Sequence, residues 1–249
     1  MKTAELVEYL DTYLNTKAIA DASQNGLQAD GPAVAEKAAF AVDGSLASIE
    51  AAVKEHADIL IVHHGIFWDR PARATGPLYK RLKALFDGNC ALYASHLPLD
   101  LHAESGNNAV IAKKLGIESA VPFGNYHGTL IGFGGSLPAA LECGALTEKL
   151  SGIMSSPCRV IDTGRPCSRV AIVSGGGASL LEEAAEEGYD TFITGESSHS
   201  SYHYALELGV NLIFGGHYAT ERFGVMALMN HIKDRFGIQT VFIDIPTGM

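Results

Sequence analysis

The sequence predicts an α/β protein of two similar α/β domains, and three observations predict it. Short apolar strands alternate with segments of helical period, the pattern of parallel packing with right-handed crossovers. Residues 169 to 196 repeat the strand-helix-strand plan of the stretch that contains Ala38 to His64, and the two can be laid side by side without a gap. In each copy the apolar strands run into imidazole or carboxylate groups, which are poor core residues. In open α/β sheets a ligand site lies beyond the carboxyl ends of the strands.

Taken in order, Leu6, Val7, Leu10 and Leu14 recur at helical spacing, so residues 3 to 14 read as an amphipathic packing helix. Ala18 to Pro32, rich in Asp, Asn and Gly, reads as a loop or short hairpin. Ala38-Ala39-Phe40-Ala41-Val42 is a buried strand, Asp43-Gly44-Ser45 the turn after it, and Leu46, Ile49 and Val53 line one face of the next helix. Ile59-Leu60-Ile61-Val62 then runs into His63-His64-Gly65.

In the second copy Arg169 to Val173 is the strand and Gly175-Gly176-Gly177 the turn. Ser179 and Glu182 fit a capping box, and Leu181, Ala184 and Ala185 form the apolar stripe of a helix closed by Gly188. Asp190 to Thr194 matches Asp58 to Val62, which sets Gly195-Glu196 opposite His63-His64. A third strand follows in each copy. Ala91 to Ser95 leads to His96 and, four positions on, Asp100; Asn211 to Gly216 leads to His217 and, four positions on, Glu221.

Between the copies Asn107 to Leu115 reads as a helix stopped by Gly116. Residues 128 to 173 hold Gly132-Phe133-Gly134-Gly135, a helix around Ala139 to Leu150 and the strand-like Arg159-Val160-Ile161, and Gln239 to Ile245 reads as a last strand. No low-complexity linker divides the chain. The boundary is set loosely at Gly124 to Gly128, giving domains 1–125 and 126–249 with a metal site shared between them.

At 249 residues and 47% hydrophobic content the chain can bury a sizeable core. No run reaches the ~20 apolar residues of a membrane span. The start, Met1-Lys2-Thr3-Ala4-Glu5-Leu6, lacks the order of a signal peptide, so a cytoplasmic protein is expected. The net charge of −10 and a basic patch no longer than Lys80-Arg81-Leu82-Lys83 argue against nucleic acid as a partner, unless an assembly concentrates positive residues. Cys90, Cys143, Cys158 and Cys167 form no C-x-x-C pair and read as reduced packing residues.

Adjacent histidines in a strand point to opposite faces, so His63 and His64 serve one site only where the strand ends and the backbone turns, for which Gly65 is suited. The plainer alternative is a pair of loop histidines. His217 and Glu221 lie on one face of a helix that opens after Gly215-Gly216, at chelating spacing. Their recurrence as His96 and Asp100 weakens the alternative of a solvated surface pair, although Pro98 disfavours a regular helix in that copy. Taken together, three histidines and two carboxylates at the strand ends make a mixed N/O set that suits zinc, iron, manganese, nickel or cobalt better than calcium. Five ligands suit two metals with a bridging carboxylate.

Glu196, opposite His64 in the repeat, is expected beside the site as an acceptor for a ligand N–H or as a general base; the plain alternative is a surface Glu at a helix start. His199 and His203, four apart on the following helix, are given supporting or substrate roles, and His56, His102, His127 and His231 ordinary surface or packing roles. Ser174 to Ser179 matches neither a P-loop nor G-x-G-x-x-G and reads as a tight turn. Gly195-Glu196-Ser197-Ser198-His199 lacks the second Gly of a serine-hydrolase elbow.

Asp43-Gly44 before a helix, Ile61-Val62-His63-His64-Gly65, Ser95-His96-Leu97-Pro98-Leu99-Asp100, Thr194-Gly195-Glu196 and Gly216-His217-Tyr218-Ala219-Thr220-Glu221 resemble the GTP cyclohydrolase I type 2 homolog family in its short bacterial form. Its members are also called Nif-three-like dinuclear metal center proteins, and the resemblance covers nearly the whole chain. It implies a protomer of two similar α/β domains in a toroidal homohexamer with a two-metal site on the inner side. It also implies that His64 and Asp100 hold one divalent ion, His63 and His217 the other, and that Glu221 bridges them. His96 belongs to the family motif and, with Glu196, is a candidate catalytic residue. The family name implies a hydrolase acting on a small-molecule substrate, while members are also linked to transcriptional partners, DNA-related roles and metal handling. A metal-dependent hydrolase is therefore the first expectation; a non-catalytic metallochaperone, metal-storage ring or regulatory scaffold is the alternative.

Overall fold

The computed structural model describes residues 1–249. In chain order its first elements are α1 (Thr3–Tyr13), β1 (Gly26–Ala29), β2 (Lys37–Asp43), α2 (Leu46–Lys54), β3 (Ile59–His64), α3 (Gly76–Asp87), β4 (Ala91–Ala94), α4 (Leu97–Asp100) and α5 (Asn107–Leu115). There follow β5 (Glu118–Tyr126), β6 (Thr129–Leu141), α6 (Cys143–Met154), β7 (Arg159–Ile161), β8 (Cys167–Val173), α7 (Leu181–Glu186), β9 (Thr191–Thr194), α8 (Ser201–Leu208), β10 (Asn211–Phe214), α9 (His217–Phe236) and β11 (Gln239–Phe242). None of the helices is long and apolar enough to cross a membrane.

Two compact units divide the chain: Met1–Leu99 with Gly224–Ile245, and Asp100–Phe223 with Pro246–Met249. The chain changes unit at Leu99–Asp100, at Phe223–Gly224 and again at Ile245–Pro246. β11 pairs in parallel with β2, which is why Gly224–Ile245 belongs to the first unit.

In the first unit the strand order is β1-β4-β3-β2-β11. β11, β2, β3 and β4 are parallel and β1 is an antiparallel edge. The polar stretch before β2 is thus an edge strand paired with β4, not a hairpin. Both faces of this sheet are covered, which is why the strands read as unbroken apolar runs. Phe40, Ile59, Ile61 and Tyr93 face Leu6 and Leu10 of α1, Leu14 directly after it, and Leu228 and Ile232 of α9. Alternate residues Ala39, Leu60, Val62 and Leu92 face Ile49 and Ala52 of α2 and Leu85 of α3. Each fully buried large side chain here contributes about 1.5–3 kcal/mol. Ser45 caps α2 by accepting from Ser48 N at 3.1 Å.

The second unit has the order β5-β6-β8-β9-β10-β7, with β8, β9 and β10 parallel. Its cover includes Ile111 and Leu115 of α5 and Leu146, Leu150 and Met154 of α6, packed on Val170, Ile172, Ile193 and Ile213. Three local expectations need correction. The helix expected from Ala139 starts at Cys143, because β6 pairs with β8 as far as Leu141 across a register irregularity that accommodates Pro138. Ser179 does not cap α7: the chain enters that helix through the 3-10 turn Gly177–Leu180, and no side chain caps it. Pro98 does not prevent helix in Leu97–Asp100, since it stands in the first turn, where its missing N–H costs nothing.

The internal repeat is present in detail. Ala38 pairs with Ile59 and Val170 with Thr191, at the same offset along the chain. Asp58 accepts from Glu36 N and Lys37 N, and its counterpart Asp190 accepts from Ser168 N and Arg169 N. In both copies the first residue of the strand-entry pair is held by a carboxylate at the foot of the next strand.

Candidate metal centre

In the first unit the carboxyl ends of β3 and β4 bring three histidines together. His63 and His64 follow each other in sequence, yet their ring centroids are 4.6 Å apart. The strand ends there: Gly44 N donates to His64 O at 2.7 Å, and the chain turns away through Gly65. A Cβ at Gly65 would collide with the side chain of Gln28, whose Oε1 accepts from Ile66 N at 2.7 Å and fixes the turn. His96 follows β4, with its centroid 5.1 Å from His63 and 5.6 Å from His64. Trp68 meets His96 edge-on at 5.2 Å.

Each of these rings is held by the same device. His63 Nδ1 lies 3.0 Å from Ser95 O, His64 Nδ1 2.8 Å from Asp43 Oδ1, and His96 Nδ1 2.9 Å from Asp21 Oδ1. A carbonyl or carboxylate oxygen only accepts, so Nδ1 must donate and the ring lone pair resides on Nε2. One ligand atom from each of the three lies within 4.8 Å of the others. This donor set fits a borderline divalent ion.

Asp21 is the most elaborate of the anchors, with a side chain 2% exposed. Its carboxylate also accepts from Ser23 N, Asn25 Nδ2 and Leu97 N, at 3.0, 2.9 and 3.0 Å. Burial pushes its pKa up, but the hydrogen bond and charge of His96, with the Asn25 and Ser23 bonds, outweigh burial and hold it at about 2. Asn25 Oδ1 in turn accepts from His96 N at 2.8 Å. Sequence reading missed Asp21. It lies in the polar stretch before β1, and no spacing links it to a histidine 75 positions away.

In the second unit His217 opens α9. Its Nε2 is 3.1 Å from Glu221 Oε1 and its Nδ1 3.3 Å from Glu196 Oε2. The bond to Glu221 raises the His217 pKa against the opposing effect of burial, and with the charge of both carboxylates it reaches about 9. Glu221 is buried, while the Glu196 side chain is 48% exposed. Gly175, at φ +64, lies directly against Glu221 Oε1, so any side chain there would displace the carboxylate. The glycine turn uses its N–H groups internally: Gly175 N donates to Thr220 Oγ1 and Gly177 N to Thr194 Oγ1, both at 3.0 Å. It is a tight turn, as expected, with those groups turned away from any phosphate.

Asp100, also buried, accepts on Oδ1 from Asn107 Nδ2 at 2.8 Å and Ser174 Oγ at 2.9 Å, which fixes the orientation of its carboxylate. Asn108 Oδ1 accepts from Ser174 N and so holds that serine. Asn107 and Asn108 were not singled out by sequence, since amides at a helix start suggest only capping, and Ser174 was read only as the start of a tight turn.

His199 precedes α8 instead of lying on it with His203, and both are exposed. Next to Glu196 opens a cleft of about 710 Å³, lined by Gly176, Ser179, Ser198, His203 and Glu207 among others. A larger one of about 890 Å³ runs along α1 and has no histidine in its lining. The remaining histidines have ordinary roles: His231 bonds Tyr9 Oη at 2.6 Å and stacks on Tyr13, and His102 Nδ1 accepts from Ser105 N.

Comparison with known proteins finds relatives over the whole length of the chain. A protein of Archaeoglobus fulgidus named GTP cyclohydrolase 1 type 2 homolog is 45% identical over 250 residues, covering 100% of both chains. A Deinococcus radiodurans protein of the same name is 44% identical over 98% of this chain and 94% of its own. The crystal structure of TTHA1606 from Thermus thermophilus superimposes with a TM-score of 0.93 at 40% identity, over 100% of each chain. The family description Duf34/NIF3 (NGG1p interacting factor 3) matches residues 1–248. With its whole length accounted for in this way, the chain belongs to the Duf34/NIF3 family.

Proposed function

We propose that this protein is a metal-dependent hydrolase that holds two divalent ions, with His64 and Asp100 on one, His63 and His217 on the other and Glu221 bridging. The observation that supports it most is the shared anchoring of the imidazoles, in which a backbone or carboxylate oxygen stands at Nδ1 of His63, His64 and His217. Histidines that serve only packing have no need of a fixed tautomer, whereas ligating histidines depend on one. Zinc, iron, manganese, nickel and cobalt all suit these donors. When bound in pairs, such ions polarise a substrate oxygen and lower the pKa of water.

The chain's own groups supply the rest. Asn107 and Ser174 orient Asp100, Asp43 orients His64, and Glu196 accepts from Nδ1–H of His217. Glu196 is also exposed enough to exchange a proton with a bound molecule, and His96 stands beside the ligands. The cleft at Glu196 favours an enzyme over a storage ring, because metal storage requires no space for an organic substrate. Its hydroxyl, imidazole and carboxylate lining suits a small polar molecule, and the name carried by the relatives points to a cyclic, nucleotide-like one. A cytoplasmic homohexamer is the assembly that accompanies this reading.

The test begins with elemental analysis of protein purified without added metal, for which about two ions per chain are expected. Metal-loaded protein is then screened against nucleotides, pterin-like rings and phosphoesters, and Glu221→Gln should abolish the turnover found. Turnover that survives Glu221→Gln, or metal near zero after gentle handling, rejects the proposal. Tight metal that transfers readily to an acceptor, with no turnover of any substrate, would instead favour a metallochaperone.

A further inference from the structure

The resemblance on which the ligand set rests leaves His96 outside it, yet His96 is built as a donor in every respect that His63 and His64 are. Its Nδ1 is held by an oxygen acceptor, its Nε2 carries the lone pair, and its ligand atom falls within the same 4.8 Å cluster. Its support is also stronger than theirs. The segment from Asp21 to Asn25 grips it twice, through Asp21 Oδ1 on the ring and Asn25 Oδ1 on the backbone N–H, and Asp21 grips the next residue through Leu97 N. The Asp21 side chain is buried and fully engaged, with four donors converging on one carboxylate.

We propose that His96 is a third imidazole donor positioned by Asp21, and that it lets the first unit capture one divalent ion through His63, His64 and His96 without any donor from the second unit. This deepens the metal-binding reading above and rests on it. Three protein ligands, three histidines among the known sets, hold a zinc-type ion with an open position for water or substrate. Loading is therefore sequential. The first ion enters the three-histidine cluster; when Asp100, His217 and Glu221 contribute, a second is held and His63 and His64 come to serve one ion each. With metal present, His96 commits its lone pair as a ligand, and proton movement falls to Glu196. Asp21 is a positioning residue: it touches no ion, and acts by fixing the tautomer and direction of the ring.

Trp68 makes the proposal measurable. It is the one tryptophan of the chain and stands at ring-contact distance from both His96 and His64. Cobalt(II) bound at the cluster should quench its fluorescence and show a visible absorption band whose intensity follows the number and geometry of the nitrogen donors. The experiment titrates the full-length metal-free chain with cobalt(II) alone, following both signals and the metal retained per chain. In a His217→Gln, Glu221→Gln background, one cobalt per chain with full Trp68 quenching is expected. Adding His96→Gln should remove that ion. In the otherwise unaltered chain, Asp21→Asn should weaken the first binding step by about 10- to 100-fold, the usual effect of losing an outer-shell partner.

Cobalt affinity within twofold of the parent after His96→Gln, or absence of a first ion from the doubly substituted background, overturns the proposal and leaves the two-metal reading standing. Absence of cobalt from the unaltered chain removes both. Should Asp21→Asn lose its native circular dichroism, the His96→Gln comparison decides alone.

Discussion

Metal uptake should depend on pH through one identified proton. In the metal-free protein His217 lies between Glu221 and Glu196, and its pKa is raised from 6.5 to about 9. An ion that takes His217 as a ligand must displace that proton. At pH 7 the displacement costs about a hundredfold in apparent affinity, since the imidazole is neutral only about 1% of the time two units below its pKa. Between pH 7 and 9 the affinity for the ion that uses His217 should rise about tenfold per pH unit and then level off. About one proton per ion should be released below pH 9. Competition against a chelator across pH 7 to 9.5 measures the slope, and calorimetry in buffers of different ionisation enthalpy counts the proton. Glu196→Gln removes one of the two carboxylates, so its plateau should begin at lower pH. The sign for stability is opposite: the raised pKa makes the protonated pair's contribution to the metal-free fold complete below pH 6.5, and it is lost as pH rises through about 9. A flat affinity between pH 7 and 9, or binding with no proton release, would refute the reasoning.

Other consequences are simpler to test. Gly175→Ala should lower metal affinity at least tenfold, because its Cβ would enter the space of Glu221 Oε1 at a backbone angle that also penalises alanine; Gly144→Ala, with open space around it, serves as the control in the same titration. Asp190→Ala should cost about 1–3 kcal/mol in urea unfolding, since the backbone N–H groups of Ser168 and Arg169 lose their acceptor, and Asp58→Ala should cost a similar amount if the copies are equivalent. Alkylation of the native protein at pH 8 should label no thiol but Cys158: Cys90, Cys143 and Cys167 are buried, and burial pushes the Cys90 and Cys143 thiols up to about 12. Mass spectrometry before and after unfolding counts the labels; rapid labelling of Cys90 in the native state would contradict the packing.

The scaffold was legible because it is governed by local rules. Period-2 burial on two covered faces makes β2, β3 and β4 continuous apolar runs, and their polar ends single out His63, His64 and His96. Features that depend on partners distant in the chain were not legible. The hairpin β5–β6 has a first strand largely exposed, so it carries no apolar run, and its two strands are known only by their pairing with each other and of β6 with β8. Asp21 and Asn107 are ordinary polar residues in sequence, and become anchors only once the chain has folded. The aligned strands also refine the repeat. Ala94 and Phe214 end their strands at matching positions, His96 follows two residues later and His217 three, with Gly216 as the added residue. His217 therefore starts a helix, whereas His96 precedes one.

The unlike ends of the two copies have a physical reason. At the same offset, Asp43 of the first copy corresponds to Gly175 of the second, and His64 to Glu196. In the first copy the carboxylate at the end of β2 anchors the imidazole at the end of β3. In the second, the place of the anchor is emptied to glycine, which admits the buried carboxylate of Glu221. The place of the imidazole is taken by Glu196, which anchors His217 instead. Each copy thus keeps a carboxylate on an Nδ1 but presents a different donor, nitrogen from the first and oxygen with nitrogen from the second.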